Sequence, residues 1–156
     1  MKVSVDGGIT KSISAPYIDV RVASPDEAKK VTFGPLSHYY PLIDRGETPV
    51  FMGIQSCKPG YMQPMHWHPY VECLMVLEGE AFAWMSGRES EGRLGKAGDV
   101  FEFPPNQPHA FRTEGNKTLK VLGVHCSPVR IVHFVDASLV FKNGYQVLDD
   151  QLQPTY

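Results

Sequence analysis

Two histidines and a glutamate lie close together in the stretch from Gly60 to Gly79. His66 and His68 are two residues apart, so on an extended strand their imidazole rings point to the same side. Pro69 favours a bend after them, because it cannot donate a hydrogen bond to a neighbouring strand. A strand then resumes with Glu72 at its start. The spacing predicts that His66, His68 and Glu72 hold a metal ion through two ring nitrogens and one anionic oxygen.

A fourth ligand is expected from another strand. Residues 100–103 are predicted to form a strand, the proline-rich residues 104–108 a rigid turn, and residues 109–113 the next strand. If the strands between the two segments pair as hairpins, His109 returns beside the first two histidines. His109 is therefore the candidate fourth ligand.

Both segments resemble the paired sequence motifs of the cupin superfamily. The first motif is Gly, five residues, His-x-His, three or four residues, Glu, six residues, Gly, and the chain matches it at Gly60, His66, His68, Glu72 and Gly79. The second motif is Gly, five residues, Pro-x-Gly, two residues, His, three residues, Asn, and the chain matches it at Gly98, Pro104 and His109. The likeness covers residues 60–113 and extends loosely to about Pro49 and Pro128.

Two positions depart from the second motif. Asn106 stands where the family usually has glycine, and Thr113 stands where it usually has asparagine. Asparagine tolerates a left-handed backbone better than other non-glycine residues, so the turn is expected to form. The change at Thr113 affects no ligand.

The resemblance implies an all-β fold, namely a double-stranded antiparallel β-barrel (jelly roll) with a metal inside one end. It also implies a homodimer, often built by strand or arm exchange. At most one or two short helices are expected, the first at residues 24–30, where Ser24 can cap and Pro25 suits the first helical position. Tyr17–Val22 and residues 129–135 are predicted strands.

Three neutral imidazoles and one carboxylate suit one divalent transition metal, Fe(II), Mn(II), Ni(II), Co(II) or Zn(II), without selecting one of them. An octahedral ion would keep two positions for water, substrate or dioxygen, which permits catalysis. Large apolar side chains surround the motifs and predict an apolar pocket wherever they face inward, although most of them can equally pack the core. They are Met62, Met65, Trp67, Tyr70, Met75, Phe82, Trp84, Phe101, Phe103 and Phe111.

The leading functional hypothesis is a metal-dependent enzyme acting on a small organic molecule, of the Fe(II)-type dioxygenase kind. Two alternatives stay open: a non-catalytic small-ligand-binding or sensor protein, and a metal-dependent isomerase or lyase. No nucleophile motif is present, so the candidate catalytic residues are the proton-transfer groups Tyr70 and His125. His125 shares a strand face with Leu119, Val121 and Gly123, where the glycine leaves space, but it can also be a core histidine.

Length and composition limit the remaining possibilities. The 156 residues predict one domain, with an N-terminal arm and strands at 1–46, the motif-bearing core at 47–128, and a C-terminal strand and tail at 129–156. Fifteen basic and 17 acidic residues without a basic cluster argue against a nucleic-acid partner. No apolar run is long enough to span a bilayer and no signal-peptide core is visible, so the expected location is the cytoplasm, without membrane association.

Further expectations concern single residues. The odd, widely spaced set of Cys57, Cys73 and Cys126 predicts reduced, mostly buried thiols and no disulfide framework. Arg130 and His133 are expected at the surface or in an interface.

Overall fold

A computed structural model describes residues 18–136 and is built from antiparallel strands. The predicted arm at residues 1 to about 15 and the tail from Asn143 onward lie outside the described residues. The strands are β1 (Val31–Thr32), β2 (Ser37–Ile43), β3 (Phe51–Cys57), β4 (His66–Trp67), β5 (Glu72–Glu78), β6 (Glu80–Met85), β7 (Arg93–Lys96), β8 (Val100–Phe103), β9 (His109–Glu114), β10 (Leu119–His125) and β11 (His133–Phe134). Within residues 18–136 the one helical element is a 3-10 turn at Glu89–Glu91.

The strands form two sheets. The larger has the order β1-β2-β3-β10-β5-β8, and the smaller has the order β11-β4-β9-β6-β7. This confirms the predicted all-β, jelly-roll fold. Hydrogen-bonded strand pairs within residues 18–136 do not join the two sheets, so the structure is a two-sheet sandwich and not a closed barrel.

The hydrophobic core lies between the two sheets, because its buried side chains come from strands of both. Alternation explains which residues enter it: on β10 the buried positions are Leu119, Val121, Gly123 and His125, the face predicted from the sequence. The core cluster consists of Cys57, Tyr61, Leu74, Val76, Ala81, Ala83, Phe103, Phe111, Leu119 and Val121.

Three local predictions were wrong. Residues 24–30 form one turn, in which the amides of Glu27 and Ala28 both donate to the carbonyl of Ser24 at 3.1 Å, and no helix follows. A helix nucleus is costly, and this segment has no apolar stripe to pack. Residues 18–22 belong to no strand and bend at Asp19, and residues 129–135 contribute only the two-residue strand β11.

The three cysteines are free, as predicted. Cys57 is buried, Cys73 is half-buried and Cys126 is exposed, so the expectation of burial is only partly met. Burial raises the pKa of Cys57 to about 12, which keeps that thiol protonated. No helix within residues 18–136 has the length and hydropathy to cross a membrane.

Candidate metal centre

The structure brings the four predicted metal ligands together at one point. One donor atom from each of His66, His68, Glu72 and His109 lies within 4.8 Å of the donors of the other three. All four residues are buried. This cluster is a candidate site for one divalent transition metal, because three imidazoles and a carboxylate form a donor set that such ions prefer.

Strand pairing across both sheets builds the cluster. His66 on β4 lies directly opposite His109 on β9 in the smaller sheet, as the hairpin argument predicted. Glu72 opens β5 in the larger sheet. The backbone amide of Asn106 donates to the carbonyl of His68 at 2.7 Å, and Asn106 has a φ of 61°, the left-handed conformation expected at this motif position. The second motif's turn therefore buttresses the first.

Backbone carbonyls fix the tautomer of all three histidine ligands. Nδ1–H of His66 donates to the carbonyl of Pro64 at 2.7 Å, and Nδ1–H of His109 donates to that of Gln107 at 2.9 Å. Nδ1–H of His68 donates to Ile131 at 2.6 Å. Since a carbonyl can only accept, Nδ1 must carry the proton, and Nε2 of each neutral ring is left to bind a metal.

The contacts of Glu72 call for a positive charge within the cluster. Its Oε2 lies 3.1 Å from Nε2 of His68 and 3.0 Å from Nε2 of His109. With Nδ1 protonated, each of these nitrogens presents a lone pair to an anionic oxygen unless a cation intervenes. Either an added proton or a bound metal ion would make the contact favourable, so the donor chemistry fits a metal cation.

His125 lies next to the ligands without being one of the four. It pairs with Glu72 across β10 and β5, and its Nε2 is 3.5 Å from Glu72 Oε1. The side chain is buried, and its Nδ1 has no hydrogen-bond partner among the described residues. A buried ring nitrogen without a partner is costly in a purely structural histidine, so this atom calls for a functional explanation.

Burial and charge set the protonation of the cluster. Burial raises the pKa of Glu72, but its contacts with His109, His125 and His68, which are favourable whenever these rings carry an added proton, outweigh burial and hold that pKa well below the usual range. Burial, together with His109 and His68, holds the pKa of His66 well below its usual value. Burial chiefly lowers the pKa of His125 to about 4, against the opposing effect of Glu72.

These shifts predict that the metal-free protein loses stability in acid. His125 takes up a proton at about pH 6.5 when unfolded but only at about 4 when folded, so stability falls as pH drops through this window. The lowered pKa values of His66 and Glu72 act in the same direction. We expect the His125 contribution to the free energy of unfolding to fall by about 3 kcal/mol between about pH 7 and 4. Urea denaturation at the two pH values, with chelator present, measures this change. His125→Gln should reduce this loss, and an equal loss in that variant would contradict the assignment.

Tyr70, the second candidate catalytic residue, is bound to the backbone of Ile131 and stacks on a metal ligand. Its hydroxyl donates to the carbonyl of Ile131 at 3.0 Å and accepts from the amide of the same residue at 2.7 Å. The Tyr70 ring stacks on that of His68, with centroids 5.3 Å apart and planes 8° apart. Because Ile131 also anchors His68, Tyr70 supports the ring of a metal ligand, and it does not line the cavity beside the cluster.

A small cavity of about 30 Å³ adjoins the ligands. The predicted apolar pocket is only partly present, since Phe111 alone of the ten large side chains considered lines this cavity, while Met62 and Met75 are exposed. The sequence reasoning missed its polar lining, namely Gln55, Gln63 and Arg130. Gln55 shares the inward face of β3 with three other buried residues, so alternation was a usable signal. Arg130, expected at the surface or in an interface, gave no such signal.

Comparison with known proteins agrees with this geometry. The family model for the cupin domain matches residues 53–125, which include all four candidate ligands. The chain belongs to the cupin superfamily. No curated protein matches the sequence.

Solved structures that are similar to this cupin include two named enzymes and a third protein known here by its name alone. An oxalate decarboxylase from Lactobacillus farciminis, solved as a formate complex, aligns with a TM-score of 0.63 at 24% identity over 73% of this chain. KdgF from Halomonas sp. aligns with a TM-score of 0.59 at 20% identity over 70% of this chain and 96% of its own. The DMSP lyase DddQ from Ruegeria pomeroyi DSS-3 aligns with a TM-score of 0.58 at 24% identity over 69% of this chain and 61% of its own.

These likenesses establish the fold. The chain spans only 35% of the oxalate decarboxylase chain, so the activity of that whole protein does not follow from the alignment.

Proposed function

We propose that this cupin is a metal-dependent enzyme that acts on a small organic molecule by non-oxidative proton transfer, as an isomerase or lyase does. The observation that carries the proposal is His125, a buried histidine beside Glu72 with a ring nitrogen that no described residue uses. A divalent ion bound by the four candidate ligands would act as a Lewis acid on a substrate oxygen. The residues of the chain would supply proton transfer and orientation.

His125 has the protonation state that a general base needs. The nearby Glu72 carboxylate favours a proton on Nε2, so the lone pair is left on Nδ1. Since the pKa of His125 is lowered to about 4, the ring is neutral near pH 7 and can accept a proton from a molecule in the cavity. Phe51 and Tyr70 pack edge-on against the ring, with centroids 5.7 Å away in each case, and restrict its rotation.

The similar structures give modest further support. One is named an oxalate decarboxylase and another a DMSP lyase, and neither name implies use of dioxygen in an oxygenase reaction. Because their sequence identity to this chain is low, the two enzyme names guide the proposed reaction class and not the substrate.

Exchange of substrate hydrogen for deuterium tests the proposal, and this measurement works even when the product of the reaction is unidentified. Metal-loaded protein in deuterated buffer is offered a panel of small hydroxy and keto compounds, and NMR follows exchange at carbon next to a carbonyl. We expect exchange of at least one compound, and we expect His125→Gln to slow it about 100-fold or more while metal content is kept.

Tyr70→Phe is the matched control for this experiment. It removes one hydroxyl that is bound to the Ile131 backbone, so it should slow exchange far less than His125→Gln does. Exchange that is equally fast in His125→Gln and in the unmodified protein would contradict the proton-transfer role.

The dioxygenase remains the second candidate, because a four-ligand site leaves two positions of an octahedral ion for substrate and dioxygen. Dioxygen uptake that requires both added Fe(II) and one class of compound, such as catechols, diketones or thiols, would favour it. Ligand binding with neither exchange nor uptake would favour the sensor alternative.

Assembly as a homodimer and a cytoplasmic location are further proposals. Ile18, Val20 and Val22 are almost fully exposed, and a second copy would cover these apolar side chains in the predicted homodimer. The cytoplasmic location rests on the sequence alone.

A further inference from the structure

The chain that follows β10 is bound to the segment that carries two of the candidate metal ligands. We call residues 127–135 the strap. Its short strand β11 pairs with β4, so Phe134 lies opposite His66. At the end of the strap, the amide of Val135 donates to the carbonyl of Met65 at 3.1 Å. The position of the strap is therefore linked to the position of the ligands.

His68 differs from the other two histidine ligands in what fixes its tautomer. The carbonyls that accept from Nδ1–H of His66 and of His109 each lie only two residues away in the sequence. The carbonyl that accepts from Nδ1–H of His68 belongs to Ile131, which lies in the strap, 63 residues away. The orientation of the His68 ring thus depends on a docked strap, whereas the other two rings are fixed locally.

A neutral His68 ring cannot donate to both of its neighbours. Its Nδ1 lies 2.6 Å from the carbonyl oxygen of Ile131, and its Nε2 lies 3.1 Å from Oε2 of Glu72. Both oxygens accept, and a neutral imidazole has a single N–H. When Nε2 binds a metal ion, the proton stays on Nδ1 and serves Ile131. Without the ion, the hydrogen bond to the anionic carboxylate is the stronger one, so the proton moves to Nε2 and the Nδ1 lone pair repels the strap carbonyl.

Few other contacts hold the strap in place. Within residues 127–135, Val132 is the one buried side chain, while Ile131 and Val135 are 37% and 55% exposed. The main anchor is the Tyr70 hydroxyl, which accepts from the amide of Ile131 at 2.7 Å and donates to its carbonyl at 3.0 Å. A segment with so little buried apolar surface opens at a lower free energy than the whole domain. The strap can therefore detach while both sheets stay folded.

We infer that Ile131 and Tyr70 are positioning residues for the metal ligand His68, and that the strap docks when the centre binds a metal ion and detaches when the ion is removed. The coupling is reciprocal, so contacts that stabilise the docked strap raise metal affinity by the same factor by which metal favours docking. The inference goes beyond the proposed function, because it concerns the loading of the centre and holds whichever reaction follows.

Amide hydrogen exchange of the full chain, with Zn(II) bound and with chelator present, tests the inference. The amides of Ile131 and Val135 report on the strap, since both donate to residues outside it. The amides of β10, a central strand of the larger sheet, are the internal reference. We expect chelation to speed exchange of the two strap amides at least about tenfold more than that of β10. Equal acceleration in the strap and β10 would overturn the inference, since it would show only a loss of global stability.

Tyr70→Phe removes the hydroxyl that holds Ile131. It should weaken Zn(II) binding about tenfold, measured by competition with a chelator, and zinc should protect the strap amides less than in the unmodified protein. Tyr40→Phe is the matched control, because it removes the same atom on β2 and Tyr40 does not line the cavity beside the ligands. Equal zinc affinities of the two variants would overturn the positioning role of Tyr70.

Nitrogen NMR of the histidine-labelled full chain reads the tautomer of His68 directly and needs no variant. We expect the ring proton on Nδ1 in the zinc-loaded protein and on Nε2 in the chelated protein. A proton that stays on Nδ1 after chelation would overturn the inference, even if Tyr70→Phe fails to fold.

Discussion

Replacing His66 by alanine is expected to abolish tight metal binding. Metal analysis of the purified unmodified protein should give roughly one divalent ion per chain, as a four-ligand site holds. His66→Ala should contain almost none. The ring supplies one of three Nε2 donors whose orientation is set by the backbone, and alanine offers no replacement donor.

The same variant should lose the stabilisation that metal confers. A ligand that binds only the folded state stabilises it by about 4 kcal/mol at a free concentration 1,000 times its Kd. Chelator should therefore lower the thermal midpoint of the unmodified protein markedly, and it should leave that of His66→Ala unchanged. Loss of the metal also leaves Glu72 facing two lone pairs, which adds to the cost.

His133→Ala is the matched control. His133 lies opposite Trp67 on the neighbouring strand β11, is exposed, and stacks on the Trp67 ring at 4.1 Å between centroids. It is outside the ligand cluster, so its removal should leave metal content and the chelator response intact. Metal content that survives in His66→Ala would contradict the four-ligand site.

The ligand cluster could be predicted because it depends on local rules. A period of two puts His66 and His68 on one side of a strand, and turn residues between apolar runs place His109 on a returning strand. The same alternation correctly grouped His125 with Leu119, Val121 and Gly123 on one face of β10, and the structure buries that face.

Contacts that depend on strand register could not be predicted in the same way. His125 lies opposite Glu72 because β10 pairs with β5, and no local pattern specifies which of the strands become neighbours. Arg130 follows β10 in irregular chain, where periodicity gives no information about side-chain direction. Predictions from local sequence preference failed where no neighbouring element stabilises the segment. Residues 18–22 have the alternation of a strand but pair with no neighbouring strand. Residues 24–30 have helix-capping residues but no apolar face to pack.

The second large effect is expected at Gly79, which joins β5 to β6. Its φ is +75°, and a Cβ at this position would lie 2.6 Å from the carbonyl oxygen of Thr118 and 3.0 Å from Cα of Leu119. The left-handed conformation costs a non-glycine residue about 1–2 kcal/mol. Overpacking against backbone costs about 1–3 kcal/mol more. Gly79→Ala should therefore lower the free energy of unfolding by about 2–5 kcal/mol, measured by urea denaturation of the chelated protein.

Gly98→Ala separates the two causes. Gly98 also has a positive φ, +95°, but a Cβ there would meet nothing within 4 Å. Its substitution should cost only the conformational part, about 1–2 kcal/mol. Equal losses at the two glycines would show that the approach of β10 to the Gly79 turn is unimportant. A larger loss at Gly79 would mean that this motif glycine is required because the backbone of Thr118 and Leu119 occupies the space of a side chain. That backbone lies where β10, the strand carrying His125, begins.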